Sequence, residues 1–92
     1  MARVEVTRHL HRFFPQLEDA RLSVPGDSVA EVLAAVERQV PGFCDYVLDE
    51  QGRLRRHVNL CVNNTLLIDR NGLTDRVSES DTVFVFQALS GG

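Results

Sequence analysis

Ser90-Gly91-Gly92 closes the sequence, directly after the apolar run Val83-Phe84-Val85-Phe86. Glycine loses more conformational freedom on ordering than any other residue and has no side chain to pack. A strand running on into two glycines therefore gains no stability from them. Their use would be chemical: a main chain without side chains can thread a narrow slot and present the Gly92 α-carboxylate to another protein's active site. A frayed end is the plainer alternative, because terminal residues are commonly loose.

Few other residues could carry chemistry. His9 and His11 form an H-x-H pair, but a metal site needs a third ligand at sensible spacing, so the pair reads as part of a solvated loop. Cys44 and Cys61 stand seventeen residues apart and belong to no C-x-x-C or Cys/His metal pattern, so both read as reduced structural thiols. Arg53, Arg55 and Arg56 read as a solvated basic turn, able to touch an acidic rim on a partner. No acid–base pair, nucleophile–base pair or metal set emerges, and the expectation is a chain with no catalytic residues, no metal and no bound cofactor. All ten basic residues are arginine and none is lysine. An activated C-terminus would thus find no side-chain amine on its own chain.

The elements that must position the tail follow from periodicity. Val4 and Val6 alternate with Glu5 and Thr7 as in a half-buried strand, and Arg21-Leu22-Ser23-Val24 alternates again before Pro25-Gly26. A long connection over residues 8–16 separates them, with Phe13 and Phe14 as a plug for one end of the core. Ser28 and Glu31 fit a capping box. Val29, Val32, Leu33, Val36 and Val40 then make one apolar stripe, stopped by Pro41-Gly42. Residues 43–48 read as a short helical turn and residues 49–52 as a polar turn. Residues 57–63 alternate, Asn63-Asn64 supplies positive-φ turn residues, and Leu66-Leu67-Ile68 reads as a partner strand. Leu73 and Val77 anchor the loop over residues 69–81, and residues 82–89 form the last strand.

This order predicts an α+β domain of two layers, with four to five strands of a mixed sheet packed on one main helix. A helical crossover lets the first and last strands lie parallel at the sheet centre, which is a β-grasp arrangement with the tail leaving a central strand. In that strand Val83 and Val85 face the helix. Phe84 and Phe86 face out, with Asn59 and Cys61 on the same face if the third strand lies alongside, and Leu89 near the tail. Two phenylalanines on an open sheet face mark a partner-docking surface, unless the connection over residues 8–16 folds across them.

Ninety-two residues make a single domain, 1–92, with a flexible tail over residues 89–92. A net charge of −3 gives nucleic-acid binding no electrostatic support. No apolar run approaches the ~18 residues of a membrane span, and the start lacks the apolar core of a signal peptide. The expectation is a cytoplasmic protein with no membrane or nucleic-acid partner.

The segment Leu73-x-x-x-Val77-x-x-x-Asp81-x-Val83-x-Val85-x-x-Ala88-x-x-Gly91-Gly92 resembles the tail of the MoaD/ThiS family of ubiquitin-like sulfur carriers. Val58-Asn59-x-x-Val62-Asn63 is similar to that family's central strand and turn. The turn over residues 49–56 looks more like carriers serving cysteine or related thio-metabolite synthesis, with the molybdopterin synthase small subunit close behind. The resemblance implies that the Gly92 carboxylate is adenylated with ATP by a ubiquitin-activating-like adenylyltransferase. A sulfur donor, a sulfurtransferase or sulfide, then displaces AMP to leave a thiocarboxylate, and an accepting biosynthetic enzyme takes the sulfur. Ser90 and Gly91 would be the tail that enters the partner, and the chain a co-substrate or non-catalytic subunit. A ubiquitin-like modifier, joined through Gly92 to target lysines, is the alternative.

Overall fold

Alternation in the first strand settles which side of the sheet is the inside. In the computed structural model, which describes residues 1–7, 14–15 and 22–87, Ala2, Val4 and Val6 of β1 (Ala2–Val6) are buried while Arg3 and Glu5 turn the other way. Strand β2 (Leu22–Val24) pairs with β1 antiparallel. Helix α1 (Val29–Gln39) follows, then the five-residue α2 (Phe43–Val47), β3 (Val58–Val62), β4 (Thr65–Leu66) and β5 (Thr82–Gln87). Most of the expected long connection, with His9, His11 and Phe13, lies outside the described residues, as do Leu89, Ser90, Gly91 and Gly92.

The five strands run in the order β2-β1-β5-β3-β4, with β5 parallel to β1 and antiparallel to β3. The first and last strands therefore meet near the centre, as the β-grasp reading required. Val29, Val32, Leu33 and Val36 of α1 and the C-cap residue Val40 are all at most 1% exposed. They pack over Val4, Val24, Leu60, Val83 and Val85 from the sheet. One apolar face of the sheet is thus consumed by the helix layer, which is the main hydrophobic contribution to the fold.

Helix α1 begins as its sequence requires, with one shift. Ser28 Oγ accepts from Glu31 N–H at 3.3 Å, but the Glu31 carboxylate accepts from Asp27 N–H at 2.8 Å instead of from Ser28. Ser28 is drawn into an antiparallel bridge with Arg76, which turns its extended backbone toward residues 75–77. The next two helical donors, Val29 N–H and Ala30 N–H, reach the carbonyls of Asp75 and Leu73 at 2.9 Å each. Otherwise orphaned helix donors are thereby satisfied by a distant loop. Leu73, buried and at φ 55°, is an unexpected left-handed residue held by these bonds.

The β4 expectation is corrected. The strand is Thr65–Leu66, not residues 66–68. Leu67 turns into the core at 7% exposure, and the N–H groups of Ile68 and Asp69 each donate to the Asp75 carboxylate at 2.9 Å. Backbone donors taken by a carboxylate cannot extend a ladder. Only Asn63 of the Asn63-Asn64 turn has positive φ, at 57°. Where β4 has run out, Arg70 takes over: its guanidinium donates to the carbonyls of Val58 at 2.9 Å and Arg55 at 2.8 Å.

Phe14 plugs one end of the core as expected, edge-on to Phe43 and Tyr46 with ring centroids 5.4 and 5.8 Å away. Two arginines of the basic turn are tied to their own chain: Arg53 to the Asp49 carboxylate at 3.0 Å, and Arg55 to the Asp45 carbonyl at 3.1 Å. Among the described residues, no helix is long and apolar enough to cross a membrane.

Candidate functional site

The face of the sheet away from α1 is assembled by register. Glu5 and Cys61 are the direct partners of Phe84 on either side, and Leu66 is the partner of Cys61. Directly opposed residues share a face, so Glu5, Phe84, Cys61 and Leu66 form one row across four strands. Phe86 and its partner Asn59 form the next row, nearer the end of β5. The Phe84 and Phe86 rings stack with centroids 5.5 Å apart and 21° between planes. Both stay partly accessible on the outer face.

Around this pair lies an open depression of about 990 Å³. Phe84, Phe86 and Cys61 line it as the alternation predicted, together with Glu5, Thr7 and Gln87. Asn59 stands in register with Phe86 but does not line the depression. Its Oδ1 accepts from Leu60 N–H at 2.9 Å and from the Arg70 guanidinium at 3.3 Å, which turns the carboxamide toward the β3 edge. Leu66, half-exposed at the margin, continues the apolar row. Gln87, paired with Val58, ends the described strand at the margin of this face. The tail residues themselves, including Leu89 and Gly92, lie outside the described residues.

Glu5 and Thr7 were not singled out from sequence. The signal was present in the alternation of Arg3, Glu5 and Thr7, but it needed the parallel β1–β5 register to place it beside Phe84 and Phe86. Thr7 N–H donates to Val85 O at 3.1 Å, while its buried Oγ1 has no partner among the described residues.

The two cysteines have different settings. Cys61 sits half-buried on the outer face beside Phe84. Cys44 lies under α1, where its S–H donates to Leu33 O at 3.3 Å. Burial, with the neighbouring Glu37 carboxylate, pushes its thiol up to about 11. A thiol held protonated at neutral pH is a structural group, not a nucleophile. Glu37 itself is held below its usual range because its carboxylate accepts from Gly42 N–H at 2.9 Å and Cys44 N–H at 2.8 Å. It caps α2 and offers no proton to a reaction. Among the described residues, no three His, Cys, Asp or Glu side chains converge to hold a metal.

A domain of this topology has relatives among known proteins. The chain is 29% identical over 73 residues to the sulfur carrier protein CysO of Mycobacterium tuberculosis, an alignment covering 77% of this chain and 78% of that protein. It is 28% identical over 65 residues to small archaeal modifier protein 3 of Haloferax volcanii, covering 71% and 70%. In structure it resembles a chain of the Amycolatopsis orientalis BexX/CysO complex, at TM-score 0.84 and 25% identity with all of both chains covered. The fold is shared with M. tuberculosis CysO, at TM-score 0.80 and 22% identity over 97% of this chain and 100% of that one. The ThiS family pattern matches residues 5–92, and the chain belongs to the ThiS family.

Proposed function

We propose that this chain is a sulfur carrier protein that works through its Gly92 carboxylate. A carboxylate is a poor electrophile, so sulfur can be placed there only after an oxygen becomes part of a leaving group. The Gly92 carboxylate attacks the α-phosphate of ATP held by an adenylyltransferase, pyrophosphate departs, and an acyl-adenylate forms. Sulfide attacks the acyl carbon and displaces AMP, leaving a thiocarboxylate; alternatively the terminal sulfur of a sulfurtransferase persulfide displaces AMP to give an acyl disulfide, which a thiol cleaves to the thiocarboxylate and a new disulfide. The likeness to CysO favours an acceptor in the synthesis of cysteine or a related thio-metabolite.

The single observation carrying this reading is the family match through to Gly92, on a fold whose central strand β5 ends at Gln87, five residues before Gly92 in the sequence. The geometry supports a division of labour. The aromatic depression beside the end of β5 suits docking of the adenylyltransferase, while the partner supplies ATP, acid and base. The chain is then a co-substrate. Cys44, half-buried under α1 with its S–H donated to Leu33 O, is unsuited to carry sulfur, and the family match favours the C-terminal carboxylate as the loading point. Conjugation to target lysines is a second reading, favoured by the likeness to small archaeal modifier protein 3.

Intact mass after incubation with ATP, the adenylyltransferase and sulfide tests both. Exchange of one oxygen for one sulfur, localised to Gly92, is expected. Covalent adducts to other proteins with no thiocarboxylate would replace the carrier reading with the modifier one.

A further inference from the structure

Glu5 is the one carboxylate that lines the aromatic depression among the described residues. Its neighbours Val4 and Val6 are buried, so the pleat of β1 fixes it on the outer face, and the parallel register sets it directly beside Phe84. The Glu5 side chain is 34% exposed, and its ion-pair partner among the described residues is Arg3, 4.0 Å away and itself 62% exposed. A pair that long and that wet contributes little. Phe86, Cys61, Thr7 and Gln87 add no positive charge to the depression.

Docking changes the balance. A partner that covers Phe84 and Phe86 strips water from Glu5, and a desolvated carboxylate without a strong cation is costly. A guanidinium answers both halves of the site. Its planar fork bonds a carboxylate through two parallel N–H donors, and its face stacks on an aromatic ring. We propose that Glu5 and Phe84 together receive one arginine side chain of the adenylyltransferase, with Arg3 as a weak intramolecular stand-in that the partner's arginine displaces. This inference rests on the carrier reading and adds the residue that selects the partner.

The test is ATP–pyrophosphate exchange with the carrier as the varied substrate, alongside circular dichroism melts. Glu5→Gln is expected to raise KM by about 10-fold or more, and to flatten the salt dependence of KM that the unmodified chain shows. Arg3→Gln removes the stand-in and is expected to lower KM by about 2-fold. Glu5→Asp keeps the charge one methylene shorter, and should keep the salt dependence with a smaller rise in KM. An unchanged KM in Glu5→Gln overturns the proposal. So does a parallel rise in Glu5→Gln and Arg3→Gln, which would make the pair a structural feature of β1. If the unmodified chain is not adenylated, the carrier reading falls and this inference with it. Normal adenylation with an indifferent Glu5 removes the docking inference alone.

Discussion

Val83 and Phe84 are adjacent in sequence and face opposite ways, so truncating each to alanine separates folding from docking. Val83 is completely buried between sheet and helix. Val83→Ala removes two carbon groups, about 1.6 kcal/mol at about 0.8 each. The cavity adds about 1.2 kcal/mol for roughly 50 Å³ at ~24 cal/mol per Å³. A loss near 3 kcal/mol in a domain of this size lowers Tm by roughly 12–24 °C. Phe84→Ala forfeits its stack on Phe86, worth about 0.5–1.5 kcal/mol, and a partial burial, for a total near 1–2 kcal/mol. On the partner's surface the order reverses. A central aromatic anchor carries about 2 kcal/mol or more, hence about a 30-fold rise in KM for adenylation, while folded Val83→Ala keeps the normal KM. Thermal melts and exchange kinetics on the same two preparations read both axes. Equal KM values for the two folded variants would refute the assignment of the outer face to docking.

Two further outcomes follow from local geometry. Gly26 lies at φ 150°, and a Cβ there would meet Val32 N at 2.8 Å and Val32 Cγ2 at 2.9 Å. Gly26→Ala should therefore cost about 2–5 kcal/mol, combining backbone strain with overpacking against α1; a urea midpoint within experimental scatter of the parent would contradict it. The second concerns acid. Asp49, Asp69, Asp81 and Glu37 are all held below their ordinary values of 3.8 and 4.5. The leading causes are the Arg53 N–H, the Thr74 hydroxyl, the Ser78 N–H and the Gly42 N–H respectively. Because the unfolded carboxyls bind protons more readily, their contribution is complete above those ordinary values and lost as pH falls through the depressed ones. Urea midpoints should hold steady from neutral pH to about 5.5 and decline below about 4.5. Stability unchanged down to about pH 3 would contradict that assignment.

The sequence pattern revealed the core more fully than the loops, for a physical reason. Hydrophobic stripes at fixed period declare the inward faces of β1, α1, β3 and β5, because each must bury one side. The stripe Val29, Val32, Leu33, Val36 and Val40 is buried throughout. Phe84 and Phe86 follow as the residues left over on the outer face. What the pattern does not encode is capture of backbone groups by single side chains. Asp75 ends β4 early by taking two N–H groups, and Arg70 replaces a missing strand beside Val58. These are contacts of one residue with a distant segment, and they have no period. Glu5 escaped for a related reason: its meaning depends on which strand lies beside β1, and only the register supplies that.

The same register explains how one small domain can leave an apolar sheet face open without losing its core. A sheet covered by a helix on one face needs nothing on the other for its backbone hydrogen bonds, which are satisfied in the plane. Residues at alternate positions of β5 can therefore answer to separate demands: Val83 and Val85 to packing against α1, Phe84 and Phe86 to whatever docks. Since β1 lies parallel to β5, its outward residues advance in step with those of β5 toward the end from which the tail leaves. Glu5 beside Phe84, and Phe86 just before Gln87, thus form a track toward the end of β5. A partner gripping that track would hold the end of β5 at a fixed distance from its own active site.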